Sequence, residues 1–436
     1  MIFRERAKAL RGRAGGEAAF LTAMSLLAAR WQPRSGFATN VFAPSRLRAK
    51  QYLLEALNKP CNSLAMPDKL YIQPLNLAPS PQAVAGDAIR LAGGMTYAHL
   101  IAVTVTREGR VVQRELVTPS GIDWVFERLP DELGPEAGRQ WTGLTTAHPP
   151  LQLGERTIRL DQPQVVGILN VTPDSFSDGG KFLDDPEEAR AHAAAMHEAG
   201  AAIIDIGGES TRPGAAAVWE GDEIKRVIPA VEHCVAMGAA VSVDTRRPAV
   251  MEAALAAGAH VINDVSALRH DPRSLEFAAA SGVPVILMHA PGDGEDLHAG
   301  ARYDNVVFDV FDWLREARDR AVAAGIARER IILDPGIGFG KPMADNLALL
   351  NALPLFHALG QPLLVGASRK RMIGALSNEA PAHRRLGGSL ALAVTAMQAG
   401  VQLLRVHDVY DTVQARNVWR GMRDAALTDF SCLAED

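Results

Sequence analysis

From Val165 to about Asp408 the chain alternates short apolar, β-branched runs with longer small-residue stretches of helical character. The apolar runs read VVGILNV (165–171), AAIIDIG (201–207), AAVSVD (239–244), AHVINDV (259–265), VPVILMH (283–289), RIILDPG (330–336), PLLVGAS (362–368) and LLRVHD (403–408). A glycine ends the stretch before each of the last seven: Gly200, Gly238, Gly258, Gly282, Gly325, Gly360 and Gly400. Glycine suits the left-handed residue that closes a helix. Near-continuous apolarity implies burial on both faces, hence a parallel sheet with helical crossovers. Eight βα units over about 250 residues meet the requirement of a (β/α)8 TIM barrel. An open doubly wound sheet uses similar units, but no GxGxxG follows any strand here.

The pattern changes ahead of the barrel, which is expected over 163–436. Residues 66–162 read as a small α+β accessory domain. Alternation over TYAHLIAVTVTREGRVVQREL (96–116) predicts a hairpin turning at Glu108-Gly109. SGIDWVFERLP (120–130) predicts a short helix with Ser120 as its N-cap. The region carries no catalytic constellation, and its expected role is packing or partner contact. Residues 1–65 are rich in arginine, with only Glu5, Glu17 and Glu55 as acids, and one helical stretch over 17–31. They fit an amphipathic targeting leader and a poorly ordered, flexible extension equally well. MPDKLYIQPLNL, from Met66, also reads as a translation start.

Composition narrows the function. The 436 residues carry a formal net charge of −5 with 22% charged side chains, so nothing basic argues for nucleic acid. Cys61, Cys234 and Cys432 are scattered and form no CxxC, as expected of a reduced, cytoplasmic chain. No apolar run approaches the ~18 residues of a membrane span.

Reactive side chains of a barrel sit where its strands end. Collecting those ends gives two groups. Asp244, Asn263, Asp334 and Lys370 match a flat heterocycle with alternating donors and acceptors, with Phe339 as an apolar or stacking face. An internal Asp–Lys network filling the barrel mouth is the competing reading. The second group is cationic: Arg212, Arg369, Arg405 and His407, with Ser368 among them. Guanidinium groups bind phosphate oxygens bidentately, and barrels often hold phosphate after strands seven and eight. Asn170, at the tip of the first strand, offers an amide oxygen to a magnesium ion beside such phosphates. His289 also ends a strand, but HExxH is absent. A ring site next to an anion site, with no nucleophile beside a base, predicts substitution at carbon with a phosphate leaving group.

NVTPDSFSDGG (170–180), DIGGESTRPGA (205–215), SVDT (242–245), INDVSA (262–267), ILDPGIGFGK (332–341), VGASRK (365–370) and RVHD (405–408) together resemble dihydropteroate synthase. The match covers about 165–420, in the family's order. It implies a folate-pathway transferase that joins 4-aminobenzoate to (7,8-dihydropterin-6-yl)methyl diphosphate, releasing diphosphate, with Mg2+ as cofactor. By the resemblance Asp244, Asn263, Asp334, Phe339 and Lys370 bind the pterin. Asn170, Arg212, Asp244, Arg405 and His407 hold the diphosphate, and Asn170 the metal. Phe176, Thr211, Arg212, Pro213 and Ser368 enclose the aminobenzoate, while Asp178, Arg212 and Lys370 are the catalytic set. NVTPDSFSDGG then reads as a mobile loop that closes with GESTRPGA over the substrates, its Gly179-Gly180 pair supplying hinge freedom. The family is commonly homodimeric and a sulfonamide target.

Three stretches depart from the family pattern: LMHAPGDGED after strand five, the proline of FGKPMADN, and the second glycine of RRLGGS. The pterin pyrophosphokinase that precedes the synthase in some relatives has no counterpart in 1–164. A pterin barrel of the corrinoid methyltransferase type would lack the diphosphate residues of TRPG, SRK and RVHD. A non-catalytic paralogue would not need both substrate loops.

Overall fold

A computed structural model of the chain describes residues 67–79, 88–172, 186–211, 218–292, 296–300 and 302–427. The extension expected over 1–65 and the site candidates Phe176, Asp178, Arg212 and Pro213 lie outside the described residues.

The accessory region opens with a small antiparallel sheet. β1 (Lys69–Ala78) pairs along one edge of β3 (Tyr97–Arg107), while β2 (Ile89–Arg90) and β4 (Arg110–Val117) share its other edge. The β3–β4 turn falls at Glu108-Gly109 as predicted, with both residues at positive φ (50° and 77°). That primed turn matches the twist of the flanking strands. The expected helix is present over Ile122–Phe126, but Ser120 does not cap it. Ser120 lies inside a preceding 3-10 turn, Pro119–Gly121, and its hydroxyl pairs with Thr118 Oγ1 at 3.1 Å. Gly121 takes the cap position instead.

The sheet seats on the helix Val306–Ala323. Tyr71 stacks on Phe308 with ring centroids 4.0 Å apart, and its hydroxyl donates to Asp312 at 3.0 Å. The helix Gly134–Thr145 is tied to β1 through Gln140, whose amide accepts from Ile72 N and donates to Leu70 O.

The eight predicted strands are all present, the last seven shorter than their apolar runs: β7 (Gln164–Asn170), β8 (Ile203–Gly207), β9 (Val241–Asp244), β10 (Val261–Asp264), β11 (Val285–Met288), β12 (Ile331–Asp334), β13 (Leu364–Val365) and β14 (Leu403–Val406), after a hairpin of β5 (Leu151–Leu153) and β6 (Arg156–Ile158). They pair in parallel in the order β12-β11-β10-β9-β8-β7-β14-β13. A parallel bridge between Leu333 and Leu363 joins the two ends and closes the (β/α)8 barrel. All seven helix-terminating glycines adopt positive φ.

The β5–β6 hairpin stops the amino-terminal end of the barrel. Leu151, Leu153, Ile158 and Leu160 cluster there with Val166, Ile203, Val261, Ile286, Ile332, Leu364 and Leu403. Each plugging side chain, 5% exposed or less, contributes roughly 1.5–3 kcal/mol by leaving water. With one mouth filled by hydrocarbon, the opposite mouth is left for polar chemistry.

Candidate active site

Strand alternation carries the inward face from the plug to the site. Val166 touches the plug, so Ile168 and Asn170 continue its face along β7. Ile203 is followed by Asp205 and Gly207, Val261 by Asn263, Ile332 by Asp334, and Leu403 by Arg405 and His407. The register sets Ile168 beside Asp205, Asp205 beside Ser242, Gly207 beside Asp244, and Asp244 beside Asn263. A layer of polar groups thus follows directly on the layer of leucine and isoleucine.

These side chains open into a cavity of about 860 Å³. Asn170, Thr211, Asp244, Asn263, Asp334, Phe339, Ser368, Lys370, Arg405 and His407 all line it, so every predicted site residue that is described faces one mouth.

Asp205 is the hub of the inner layer. Fully buried, it accepts from Arg405 Nε at 2.6 Å, from Asn263 Nδ2 at 3.2 Å and from Ser242 Oγ. Arg405 spans to a second carboxylate, donating Nη2 to Asp244 at 2.7 Å. Burial pushes the Asp244 carboxyl upward; Arg405 pulls it back, and the charges of Asp205 and Asp264 add to the rise. Burial works against the Arg405 charge, but Asp205 and Asp244 outweigh it and hold the guanidinium above its ordinary value.

The outer part of the site comes from loops. Asp334 Oδ1 accepts from Gly336 N at 2.7 Å, and burial raises this carboxyl to about 6 despite that bond and the nearby Lys370 and Lys341. Lys341, buried and dropped to about 7, donates to Gly336 O at 2.8 Å and Phe339 O at 3.3 Å, fastening the loop that presents Phe339. Lys370 Nζ lies 4.4 Å from the Phe339 ring centroid. Ser368 Oγ and His407 Nδ1 are 3.1 Å apart.

Two candidates from the strand ends turn elsewhere. Arg369 also borders the cavity but grips Asp408, with Nε–Oδ2 at 3.1 Å and Nη2–Oδ1 at 2.5 Å. His289 has the opposite alternation from Met288. It packs edge-on against Trp313 at 4.8 Å, behind the strand, and burial holds it neutral.

The sequence reading assigned no role to Asp205, Ser242, Lys341, His298 or Glu209. Asp205 was detectable: it stands two residues after Ile203, on the same strand face. Glu209 is a loop anchor. It accepts from Arg246 Nε at 3.0 Å and Arg247 Nη2 at 2.8 Å, while Arg247 also reaches the fully buried Glu223. That partnership joins loops from different strands, and no local spacing announces it.

The family of pterin binding enzymes matches residues 166–407, more than half of the chain. The dihydropteroate synthase of Escherichia coli (strain K12) is 49% identical over 263 residues, covering 60% of this chain and 92% of that protein. Among solved structures, Xanthomonas albilineans dihydropteroate synthase with 4-aminobenzoic acid is 49% identical at a TM-score of 0.59, spanning 64% of this chain and 99% of that one. The same organism's enzyme in complex with 7,8-dihydropteroate is 43% identical at a TM-score of 0.56, spanning 63% and 98%. With the barrel, its polar mouth and these matches in agreement, the chain belongs to the pterin binding enzymes, among the dihydropteroate synthases.

Proposed function

We infer that the chain condenses 4-aminobenzoate with (7,8-dihydropterin-6-yl)methyl diphosphate, giving 7,8-dihydropteroate and diphosphate in folate biosynthesis. The observation that carries this reading is the meeting of the ring-matching and anion-matching residues in one cavity at the carboxyl ends of the strands.

The pterin end is read by Asn263, Asp334 and Lys370. A carboxylate accepts from ring N–H and amino groups, an amide does both, and an ammonium donates to the ring carbonyl. Asp205 fixes the Asn263 amide: both its oxygens lie 3.2 Å from Nδ2 and share one N–H, which leaves Oδ1 and the second N–H for the ring. The diphosphate is assigned to Asn170, Arg405 and His407, with Arg212 completing the set.

The residues present fit magnesium. Asn170 Oδ1 and Asp244 Oδ2 both border Gly207, lying 3.5 and 3.7 Å from where a Cβ would stand. Two hard oxygen donors beside a phosphate site suit a cation that takes few protein ligands. When bound, it would neutralise diphosphate charge.

The C–O bond to diphosphate breaks as the arylamine nitrogen bonds to the pterin methylene, and the anilinium then loses a proton. The arylamine is already nucleophilic, so no strong base is demanded. The electron-rich ring spreads the positive charge at the methylene, while Arg405 and Arg212 hold the departing anion. Thr211, Pro213, Phe176 and Ser368 are assigned to the aminobenzoate, and Asp178 to the developing positive charge. A cytoplasmic homodimer belongs to the same reading, checked by sedimentation velocity. The direct test is diphosphate release on mixing the purified protein with magnesium, the pterin diphosphate and 4-aminobenzoate. Release that requires both organic substrates supports the assignment; none under saturating conditions overturns it.

A further inference from the structure

The strand-five loop departs from the family pattern, and it delivers a histidine into the site. His298 borders the cavity and touches two separate loops. Its ring stacks on Phe339, with centroids 5.4 Å apart and planes 9° from parallel. Gly340 N donates to Nδ1 at 3.0 Å, and Nε2 lies 2.8 Å from Thr211 O. A backbone N–H only donates and a carbonyl only accepts. Those two partners therefore specify a neutral imidazole with its proton on Nε2.

The ring is also held from below. Leu297, 4% exposed, packs in an apolar cluster with Val265, Met288 and Ala290 against Phe339. His298 N donates to Asp296 Oδ1 at 2.9 Å. A Cβ on Gly340 would stand 3.1 Å from His298 Cα, so the two loops leave no slack between them.

We propose that His298 is a positioning residue that ties the strand-two loop at Thr211 to the strand-six loop at Phe339 and Gly340, fixing the aminobenzoate end of the site relative to the pterin end. This rests on the function inferred above. One side chain spans the two loops, so substrate geometry depends on a donor and an acceptor carried by one rigid ring.

The test is steady-state kinetics on the full chain with His298→Ala, His298→Gln and His298→Phe, alongside thermal unfolding. Gln can accept from Gly340 N and donate to Thr211 O; Phe can only stack. Losing the tie is expected to raise KM for 4-aminobenzoate roughly tenfold in the Ala and Phe variants, the worth of about one hydrogen bond. The rise should exceed any fall in kcat, and Gln should restore KM to within about threefold of the parent. An unchanged KM in the Ala variant overturns the proposal. So do Gln and Phe variants that behave alike, which would leave stacking or bulk as the cause. If Ala is too unstable to assay, the Gln–Phe comparison still decides. An inactive parent protein would instead refute the functional reading.

Discussion

Replacing Asp205 by Asn keeps the shape of the hub and removes its charge, so its effect is calculable. Asp205 is fully buried and accepts from three donors: Arg405, Asn263 and Ser242. An amide presents one acceptor oxygen and an NH2. If the oxygen takes the Oδ2 position, it keeps both Arg405 and Asn263, and the NH2 meets Ser242 Oγ, whose hydroxyl can turn to accept. If it takes the Oδ1 position, the guanidinium Nε–H faces an N–H. The first arrangement is the tolerable one, and in it the buried guanidinium faces a neutral oxygen where it had a charge.

Arg405 keeps Asp244 at 2.7 Å, so the guanidinium is not stranded. That places the cost at the lower end of the range for breaking a buried ion pair, about 3 kcal/mol. Unfolding entropy for a unit of this size is on the order of 0.8 kcal/mol per degree, so Tm should fall by about 4 °C. Asn263 and Arg405 also exchange a charged shared acceptor for a weaker, neutral one. The pterin kcat/KM should therefore drop by at least about tenfold, beyond anything explained by the unfolded fraction at 25 °C. Differential scanning calorimetry and initial rates at saturating 4-aminobenzoate measure the two effects. Removing a like charge beside Asp244 works in the opposite direction, because Asp205 raises the cost of ionising Asp244. A variant as stable as the parent, or more so, with unchanged pterin kinetics would mean that this relief dominates and that Asp205 is no hub.

Other perturbations separate the parts of the site. Lys370→Ala removes the ammonium beside Phe339 and should lower kcat/KM for the pterin diphosphate roughly 10- to 100-fold with Tm unchanged; undiminished rates would discredit its role. Asp334 must be ionised to accept from the pterin, and its folded value is raised to about 6 from an ordinary 3.8. Pterin affinity should therefore weaken as pH falls through 6, approaching about tenfold per unit below it, and Asp334→Asn should flatten that limb. For stability the sign is reversed: the raised value favours the ligand-free fold most below pH 3.8, and this contribution is lost as pH rises through 6. A parent titration flat from pH 5 to 7 would count against the assignment. Gly336→Ala asks for a side chain at φ +68°, with a Cβ 1.9 Å from His289 O. Because His289 N is tied to Asp334 O, that carbonyl has little room to retreat, and both Tm and pterin binding should fall; a Tm within about 1 °C of the parent would refute the reasoning.

The barrel could be read from the sequence because its signal is local. Each strand is buried on both faces, so its residues are nearly all apolar up to its polar end. Each preceding helix ends on a glycine whose left-handed φ is a property of that residue alone. The β3–β4 turn is legible for the same reason. Ser120 marks the limit. A capping side chain was visible, but Pro119 started the 3-10 turn before the serine could serve. The β5–β6 plug was not read at all. Its strands are three residues each, and their apolar positions gain meaning only from the barrel end they fill.

The site divides along the same line, and the division has a chemical reason. Residues assigned to the ligands stand at strand ends, where an isolated polar group after an apolar run draws notice. Residues that hold those groups in place stand one layer deeper, inside the apolar run. Asp205 sits within IIDIG and interrupts it by a single position. Strand alternation explains how a carboxylate survives there. The inward face below Asp205 is Ile203 on the plug, while Arg405, Ser242 and Asn263 converge on it from three other strands. Of these only Ser242 lies on an adjoining strand in register, through the β8–β9 pairing. The guanidinium comes from β14, which neighbours β7 rather than β8. Only the closed curvature of the barrel makes that contact short, which is why no reading along the chain anticipates it. The same closure explains why Arg405 reaches Asp244 as well: one long side chain bridges two carboxylates whose strands are adjacent, gripped from the wall so that its remaining N–H groups are oriented before any anion arrives.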